Sequence, residues 1–228
     1  MDNSNCSGFL GSLSPVQLDV LAKVKQYMRE KGFGEDRRWT DWNLLRFCRA
    51  RKFELKKVIE MIDKFIAWFY PKYVNIGQLN MNQYEELRDL YAHGYYAQDK
   101  QGRPIYIEQV SKIFVDKIFE RYKDEELNAY YVQSYERLVH IILPECSRAA
   151  GRRVEQTITI MDLKDVSIMS LFAGKVKTFV DLAIKIAQDF YPEIMGTLFI
   201  LNSGFFFSAV WTMLKVGIDK KTQEKIKI

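Results

Sequence analysis

The chain has 228 residues, with 34 Lys and Arg, 29 Asp and Glu, and a net charge of +5. This length suits one domain, or a small domain joined to a mid-sized one, and the 28% of charged residues excludes a disordered chain. Three cysteines without a C-x-x-C pair argue against a disulfide framework or a cysteine zinc site. The first residues lack the basic and long apolar regions of a signal peptide, so we expect a reduced, cytosol-facing protein.

Three helices are predicted at the start of the chain. The first begins at Ser14, a favourable N-cap, followed by Pro15 and by apolar residues at helical spacing. A second, shorter helix follows. The third, from about Leu55 to Phe69, is predicted to end because Pro71 cannot continue it. Together these helices predict a compact N-terminal unit.

From Tyr95 the pattern changes to short strands. The segments 94–98 and 104–108 flank the turn sequence 99–102 and predict a β-hairpin. Helices and strands then alternate at about Glu125–Ala150, Val154–Leu163, Ser167–Gln188 and Thr197–Leu201. This alternation predicts an α/β domain.

The segment from Ile194 to Leu214 carries no charge and is long enough to span a membrane. The turn signal Asn202-Ser203-Gly204 divides it, and a break at mid-membrane would leave backbone groups unpaired in lipid. We therefore predict a buried strand before the turn and a short helix from Phe205 to Lys215 after it.

This short helix has almost no polar face. A helix that is apolar all round is either buried in a core or in contact with an apolar partner other than protein. Burial in a core is the ordinary interpretation. The position near the C-terminal lysines favours the alternative, a helix that covers a lipid and moves against a bilayer surface.

Basic residues cluster between Arg46 and Lys57 and again from Lys215 to the C-terminus. Charge alone favours two solvated helix faces. The alternative is that both clusters meet one anionic group or one anionic surface. The excess of charge over the whole chain is too small for a dedicated nucleic-acid binder.

A catalytic constellation is not visible in the sequence. His93 and His140 are the two histidines, and His140 and Cys146 are six residues apart on one predicted helix, so they point to different sides. The G-x-S-x-G, H-E-x-x-H, Walker and G-x-G-x-x-G motifs do not occur. Asp162, at a strand end, is predicted to have a structural role. We therefore predict a protein that is not an enzyme.

Five ordered segments resemble one known family. Residues 44–53, LLRFCRARKF, resemble the LLRFLRARKF signature of the CRAL-TRIO lipid-binding family, and residues 99–106, DKQGRPIY, resemble its DKDGRPVY hairpin. LPECSRAAG at 143–151, TIMDLK at 159–164 and FYPEIMG at 190–196 follow in the family's order. The resemblance covers nearly the whole chain from Leu13 and is strongest to the phosphatidylinositol/phosphatidylcholine transfer branch.

The resemblance implies an α/β fold with a helical N-terminal unit, residues 1–75, and a mixed β-sheet domain, residues 76–228. An apolar lipid pocket lies in the second domain under a mobile lid helix. The lid residues are Phe205, Phe206, Phe207, Val210, Trp211 and Leu214. The family domain continues past the position of Ile228, so we expect either a product truncated at its C-terminus, which we favour, or a lid that works differently.

Two sets of headgroup residues are implied by alignment with this branch. The phosphatidylinositol set is Arg51, Lys52, Glu193, Thr222 and Lys225. Ile194 stands where the branch usually has arginine, which removes one charge near the inositol phosphate. Lysines and a threonine hydroxyl are suitable ligands for a phosphate.

The phosphatidylcholine set is Tyr95, Tyr106, Tyr135, Thr157 and Thr159. Tyrosine rings attract a quaternary ammonium through cation–π interaction. The plainer interpretation is that the threonines are ordinary strand residues and the tyrosines belong to the core.

The resemblance implies binding and intermembrane exchange of phosphatidylinositol and phosphatidylcholine, with the lipid as ligand, no cofactor, no metal and no nucleic-acid partner. A transient membrane surface is an expected partner, and a phosphoinositide kinase is a candidate partner. The expected location is the cytoplasm, with transient association with Golgi or endosomal membranes. The alternatives are a carrier of a tocopherol-, retinoid- or sterol-like ligand, and a degenerate scaffold that does not close.

Overall fold

The structure is a computed structural model that describes residues 7–76, 85–166, 174–204, 207, 211–212 and 220–228. Its contacts divide the chain into two units. The first, the helical unit, comprises Met1–Val74 and Gln188–Glu193. The second, the sheet unit, comprises Asn75–Ala187 and Ile194–Ile228. The division at residues 75 and 76 made from the sequence remains a prediction.

The helical unit contains α1 (Pro15–Glu30), α2 (Asp41–Ala50) and α3 (Leu55–Tyr73). Ser14 caps α1 as predicted, because its side chain accepts a hydrogen bond from the backbone N–H of Gln17, whose own side chain accepts from the Ser14 N–H. This reciprocal pair satisfies two of the donors that a helix start leaves free.

The third helix is longer than predicted. It continues through Pro71 and ends at Tyr73. Proline removes one backbone hydrogen bond and crowds the preceding turn. Tyr73 is buried and lies with its ring centroid 4.9 Å from that of Trp68, so packing of the last turn offsets the proline penalty. The prediction that the helix ends before Pro71 is therefore wrong.

Aromatic side chains fill the core of the helical unit. The Phe65 ring stacks on that of Phe69 at 5.1 Å, and the Trp68 ring stacks on that of Phe190 at 3.7 Å. Lys64 donates to Asp189 at 2.8 Å on the surface. These contacts attach residues 188–193, distant in sequence, to the third helix.

The sheet unit has five strands in the order β1-β2-β3-β4-β5. The first pair is antiparallel and the other three pairs are parallel. The strands are Tyr91–Gln98, Pro104–Ile113, Thr157–Asp162, Met195–Leu201 and Ile226–Lys227. The predicted hairpin is confirmed, with longer strands than the sequence indicated.

Helices connect these strands. In chain order they are α4 (Glu85–Leu90), α5 (Val115–Arg121), α6 (Asp124–Arg137), α7 (Leu143–Ala149), α8 (Gly174–Phe190) and α9 (Lys220–Glu224). The long helix predicted over 125–150 is divided by a π-helical turn, Leu138–Ile142, where the Leu143 N–H donates to the Leu138 carbonyl. A π turn accommodates Pro144, which follows it and has no N–H to donate.

The uncharged segment is divided where the turn signal predicted. Strand β4 ends at Leu201, and both Asn202 and Gly204 have a left-handed backbone conformation, with φ of 55° and 66°. Asp162 accepts a hydrogen bond from the Asn202 side chain at 2.7 Å and another from the Lys164 N–H, consistent with its predicted structural role. In the ranges that the structure describes, no helix is both long and apolar enough to cross a membrane.

Candidate functional site

One face of the sheet carries tyrosine and threonine side chains on three adjacent strands. Tyr95 of β1 lies opposite Tyr106 of β2, which in turn lies beside Thr159 of β3. Paired residues of neighbouring strands point to the same face of a sheet. The rings of Tyr95 and Tyr106 have centroids 5.2 Å apart. We call this surface the aromatic face.

The other two residues of the predicted phosphatidylcholine set belong to the same surface. Thr157 precedes Thr159 by two positions on β3, so both point to the same side, and Thr157 is buried. Tyr135 lies in α6, close enough to Tyr95 to contribute to the raised pKa of the Tyr95 hydroxyl. The sheet unit therefore brings all five side chains onto one surface.

The aromatic face combines burial with access to solvent. Tyr95 retains 37% of its surface exposed, although burial raises its pKa well above 10. Burial also raises the pKa of Tyr135 to about 12, and the nearby carboxylate of Glu108 acts in the same direction. Side chains that are surrounded by protein and still reach solvent are typical of the wall of a cleft.

A polar network lies beside these tyrosines. The Tyr91 hydroxyl donates to Glu108 Oε1 at 2.9 Å. His93 Nδ1 lies 2.8 Å from the Tyr91 carbonyl oxygen, so it donates, and Nε2 accepts from the Tyr130 hydroxyl at 2.7 Å. Burial lowers the pKa of His93, which favours this neutral form. Burial raises the pKa of Glu108, and the Tyr91 hydrogen bond opposes that shift.

Part of the predicted lid packs on the same face of the sheet. Phe207 is buried in a cluster with Leu163 and Ile200, and Trp211 packs against this cluster. Met161, which also contacts the cluster, follows Thr159 by two positions on β3. Phe207 and Trp211 thus lie beside the threonines and tyrosines of the aromatic face. The other predicted lid residues, Phe205, Phe206, Val210 and Leu214, lie outside the described residues.

Three residues of the predicted phosphatidylinositol set belong to the helical unit. Arg51 is the C-cap of α2, and Lys52 follows in a left-handed conformation with φ of 51°. Glu193 also has a positive φ, 60°. Non-glycine residues in this region store about 1–3 kcal/mol of strain and are concentrated at functional sites.

A buried arginine contacts Glu193 and was not singled out from the sequence. Arg49 Nε lies 3.8 Å from Glu193 Oε2, with side-chain exposures of 2% and 12%. Arg49 also donates to the Gly8 carbonyl at 3.3 Å, and its guanidinium lies 3.9 Å from the centroid of the Phe9 ring. Arg46 is buried as well. The first basic cluster is therefore not simply a solvated face, because these two arginines point into the unit.

The remaining two phosphatidylinositol residues belong to the sheet unit. Thr222 lies in α9, and Lys225 joins α9 to β5. The Lys225 N–H donates to the Thr222 carbonyl at 3.1 Å, and the Lys225 carbonyl accepts from the Leu198 N–H at 2.9 Å. These bonds hold both residues at the end of the sheet next to β4.

Glu108, His93 and Arg49 were the functional candidates that sequence reasoning missed. Glu108 follows Tyr106 by two positions in a strand, and this spacing was the available signal for a shared face. Arg49 follows the buried Leu45 by four positions in a helix, and this spacing was the signal for burial. His93 had no such local signal, because the side chain that it contacts, Tyr130, comes from a distant helix.

The fold and the site together define a mixed α/β domain preceded by a helical N-terminal unit. The CRAL/TRIO domain matches residues 89–228, and the CRAL/TRIO N-terminal domain matches residues 20–64. The chain belongs to the CRAL/TRIO family. The "Crystal structure of Sfh5" is similar in fold, with a TM-score of 0.70 and 17% identity, covering 94% of this chain and 80% of that one.

The curated relatives include cytosolic factors and a lipid transfer protein. The "SEC14 cytosolic factor" of Yarrowia lipolytica is 35% identical over 97% of this chain and 45% of its own length. The "Sec14 cytosolic factor" of Schizosaccharomyces pombe is 34% identical over 97% of this chain and 77% of its own length. The "Phosphatidylinositol/phosphatidylcholine transfer protein SFH9" of Arabidopsis thaliana is 36% identical over 81% of this chain. The chain therefore spans less than half of the first of these relatives and 32% of the last.

Proposed function

We propose that this protein binds single molecules of phosphatidylcholine and phosphatidylinositol and exchanges them between membranes without catalysing a reaction. The observation that carries the proposal is the arrangement of Tyr95, Tyr106 and Thr159 side by side on one face of the sheet. Aromatic rings attract a quaternary ammonium, and a hydroxyl donates to a phosphate. The name of the A. thaliana relative, a phosphatidylinositol/phosphatidylcholine transfer protein, supports the same lipid class.

The mechanism follows from the physical chemistry of lipids in water. A diacyl lipid leaving a bilayer exposes acyl chains at about 0.8 kcal/mol per methylene, which prevents spontaneous escape. An apolar cleft replaces the bilayer as the environment of the chains, so exchange requires only opening and closing. Phe207 and Trp211 contribute to the proposed cover, because they pack on the apolar Ile200 cluster and a bilayer offers these side chains the same kind of contact.

The phosphatidylinositol mode is proposed to use the other set. Arg51 and Lys52 supply positive charge, Glu193 accepts from inositol hydroxyls, and Thr222 and Lys225 donate to the phosphate. Basic side chains near an anionic membrane each contribute about 1 kcal/mol to surface attraction, which supports a transient peripheral encounter. We propose that this encounter occurs from the cytoplasm at Golgi or endosomal membranes and that a phosphoinositide kinase receives the presented lipid.

Native mass spectrometry of the purified chain tests this function. We expect a copurifying phospholipid, and transfer of labelled phosphatidylcholine and phosphatidylinositol between two vesicle populations. A copurifying sterol-, retinoid- or tocopherol-like molecule would support the alternative carrier. Absence of any lipid together with absence of transfer would support the scaffold that does not close, and would overturn the proposal.

A further inference from the structure

Glu108 carries a half-buried carboxylate on the aromatic face, and it is not one of the predicted headgroup residues. Glu108 lies two positions beyond Tyr106 on β2 and opposite His93 on β1, so its side chain shares the face of Tyr95 and Tyr106. Its hydrogen bond comes from Tyr91. Within the part of the chain that the structure describes, no lysine or arginine forms an ion pair with it.

The surroundings of this carboxylate are aromatic. Burial raises the pKa of four tyrosine hydroxyls on β1, β2 and α6, and the Glu108 charge raises it further. These residues are Tyr91, Tyr106, Tyr131 and Tyr135. His93, on the opposite strand, is held neutral by its two hydrogen bonds. The charge of Arg88 lowers the pKa of His93 and of Tyr130, but it does not contribute to the pKa of Glu108. A carboxylate that is partly withdrawn from water and has no cation beside it is unfavourable, and such a site favours a positively charged ligand.

We propose that Glu108 is the counter-ion of the choline group in bound phosphatidylcholine and thereby a specificity-determining residue of the lipid site. This inference rests on the function proposed above. A quaternary ammonium has no N–H to donate, so it is recognised by negative charge and by aromatic faces rather than by directed hydrogen bonds. Glu108 and its tyrosine neighbours supply both. Inositol is neutral and gains no comparable attraction.

The spacing on the sheet fits this assignment. Thr159 lies beside Tyr106, and Glu108 lies two residues further along β2, about 6.6 Å away at the usual rise per residue. A phosphocholine group with its phosphate at the Thr159 hydroxyl therefore directs its ammonium along β2 towards Glu108.

A competition between two lipids tests the charge directly. Vesicles contain equal amounts of phosphatidylcholine and of its neutral isostere, a phospholipid whose 3,3-dimethylbutyl headgroup has carbon in place of the choline nitrogen. The ratio of the two lipids taken up is measured by native mass spectrometry for the wild-type chain and for E108Q. We expect the preference for phosphatidylcholine to fall by about tenfold in E108Q, which is the effect of one favourable charge interaction.

The matched control is E120Q, which removes an exposed carboxylate from α5 and is expected to leave the ratio unchanged. Because the two lipids compete for the same protein molecules, a loss of folded protein does not alter the ratio. If E108Q yields no folded protein, the apolar variant E108M is used with the same expectation. An unchanged ratio in the Glu108 variant overturns this inference alone. Wild-type protein that takes up neither lipid overturns the proposed function.

Discussion

At the residue scale, the pKa of Glu108 makes a prediction about the lipid-free protein. Burial raises this pKa above its ordinary value of 4.5, so the folded state binds more protons than the unfolded state as pH rises above that value. The free energy of unfolding contributed by Glu108 is therefore lost as pH rises from about 4.5 through the raised pKa. We expect E108Q to be more stable than the wild type at pH 7–8 and to lose this advantage near pH 4.

Urea denaturation of delipidated protein across this pH range measures the difference. The exposed Glu120 provides the control, since E120Q should follow the wild-type curve throughout. A stability difference between E108Q and the wild type that does not change with pH would show that the pKa of Glu108 is the same in the folded and unfolded states, and would contradict this prediction.

The pairing of Arg49 with Glu193 predicts a large effect on stability. Removing one partner of a buried ion pair leaves the other charge uncompensated and costs about 3–5 kcal/mol. We expect R49M to lower the free energy of unfolding by this amount, because the Arg49 side chain is 2% exposed and also contacts Gly8 and Phe9. R51M, two residues later at the end of the helix, should change stability by less than about 1 kcal/mol. Equal effects of the two variants would contradict this account.

At the element scale, the β1–β2 hairpin depends on one glycine. Gly102 has φ of 75°, and a Cβ added there would lie 2.6 Å from the Cβ of Ala150 in the helix–strand connection. We expect G102A to combine a left-handed penalty of about 1–2 kcal/mol with an overpacking cost of about 1–3 kcal/mol. Thermal or urea unfolding followed by far-UV circular dichroism measures the sum.

Gly151 separates the two terms of this prediction. Its φ is 62°, but an added Cβ would meet no atom within 4 Å. G151A should therefore show only the backbone penalty of about 1–2 kcal/mol. If G151A proved as destabilising as G102A, contact with Ala150 would not be the reason that the turn requires glycine.

At the scale of the whole molecule, the two headgroup sets predict separable activities. We expect K52A or K225A to abolish phosphatidylinositol transfer and to leave phosphatidylcholine transfer intact, because a neutral choline-phosphate unit does not require these lysines. The double variant T157L/T159L should do the reverse, because bulky apolar groups replace the phosphate donors on β3. Transfer of each lipid between labelled vesicles measures both activities. Equal loss of the two in one variant would instead indicate a folding defect.

Much of the local structure was predictable because its causes lie within a few residues. The Ser14 cap depends on Gln17, and the break after β4 depends on Asn202 and Gly204. The helix over 55–73 shows the limit of this reasoning. The local rule that proline ends a helix predicted an end before Pro71. In the structure the helix continues to Tyr73, because Tyr73 packs against Trp68. The order of the elements and the family resemblance followed from periodicity and from ordered motifs.

The sequence by itself determined the helical beginning, the hairpin and the alternation of strands and helices, and the family resemblance predicted the two sets of headgroup residues. The tertiary structure alone decided that Glu193 pairs with Arg49 and that, among the residues the structure describes, Glu108 is surrounded by tyrosines without a cation. The reason is that burial and electrostatic pairing join residues far apart in the chain. The sequence pattern of a strand or a helix is visible within the element itself, but the solvation of a charge depends on every element that packs around it.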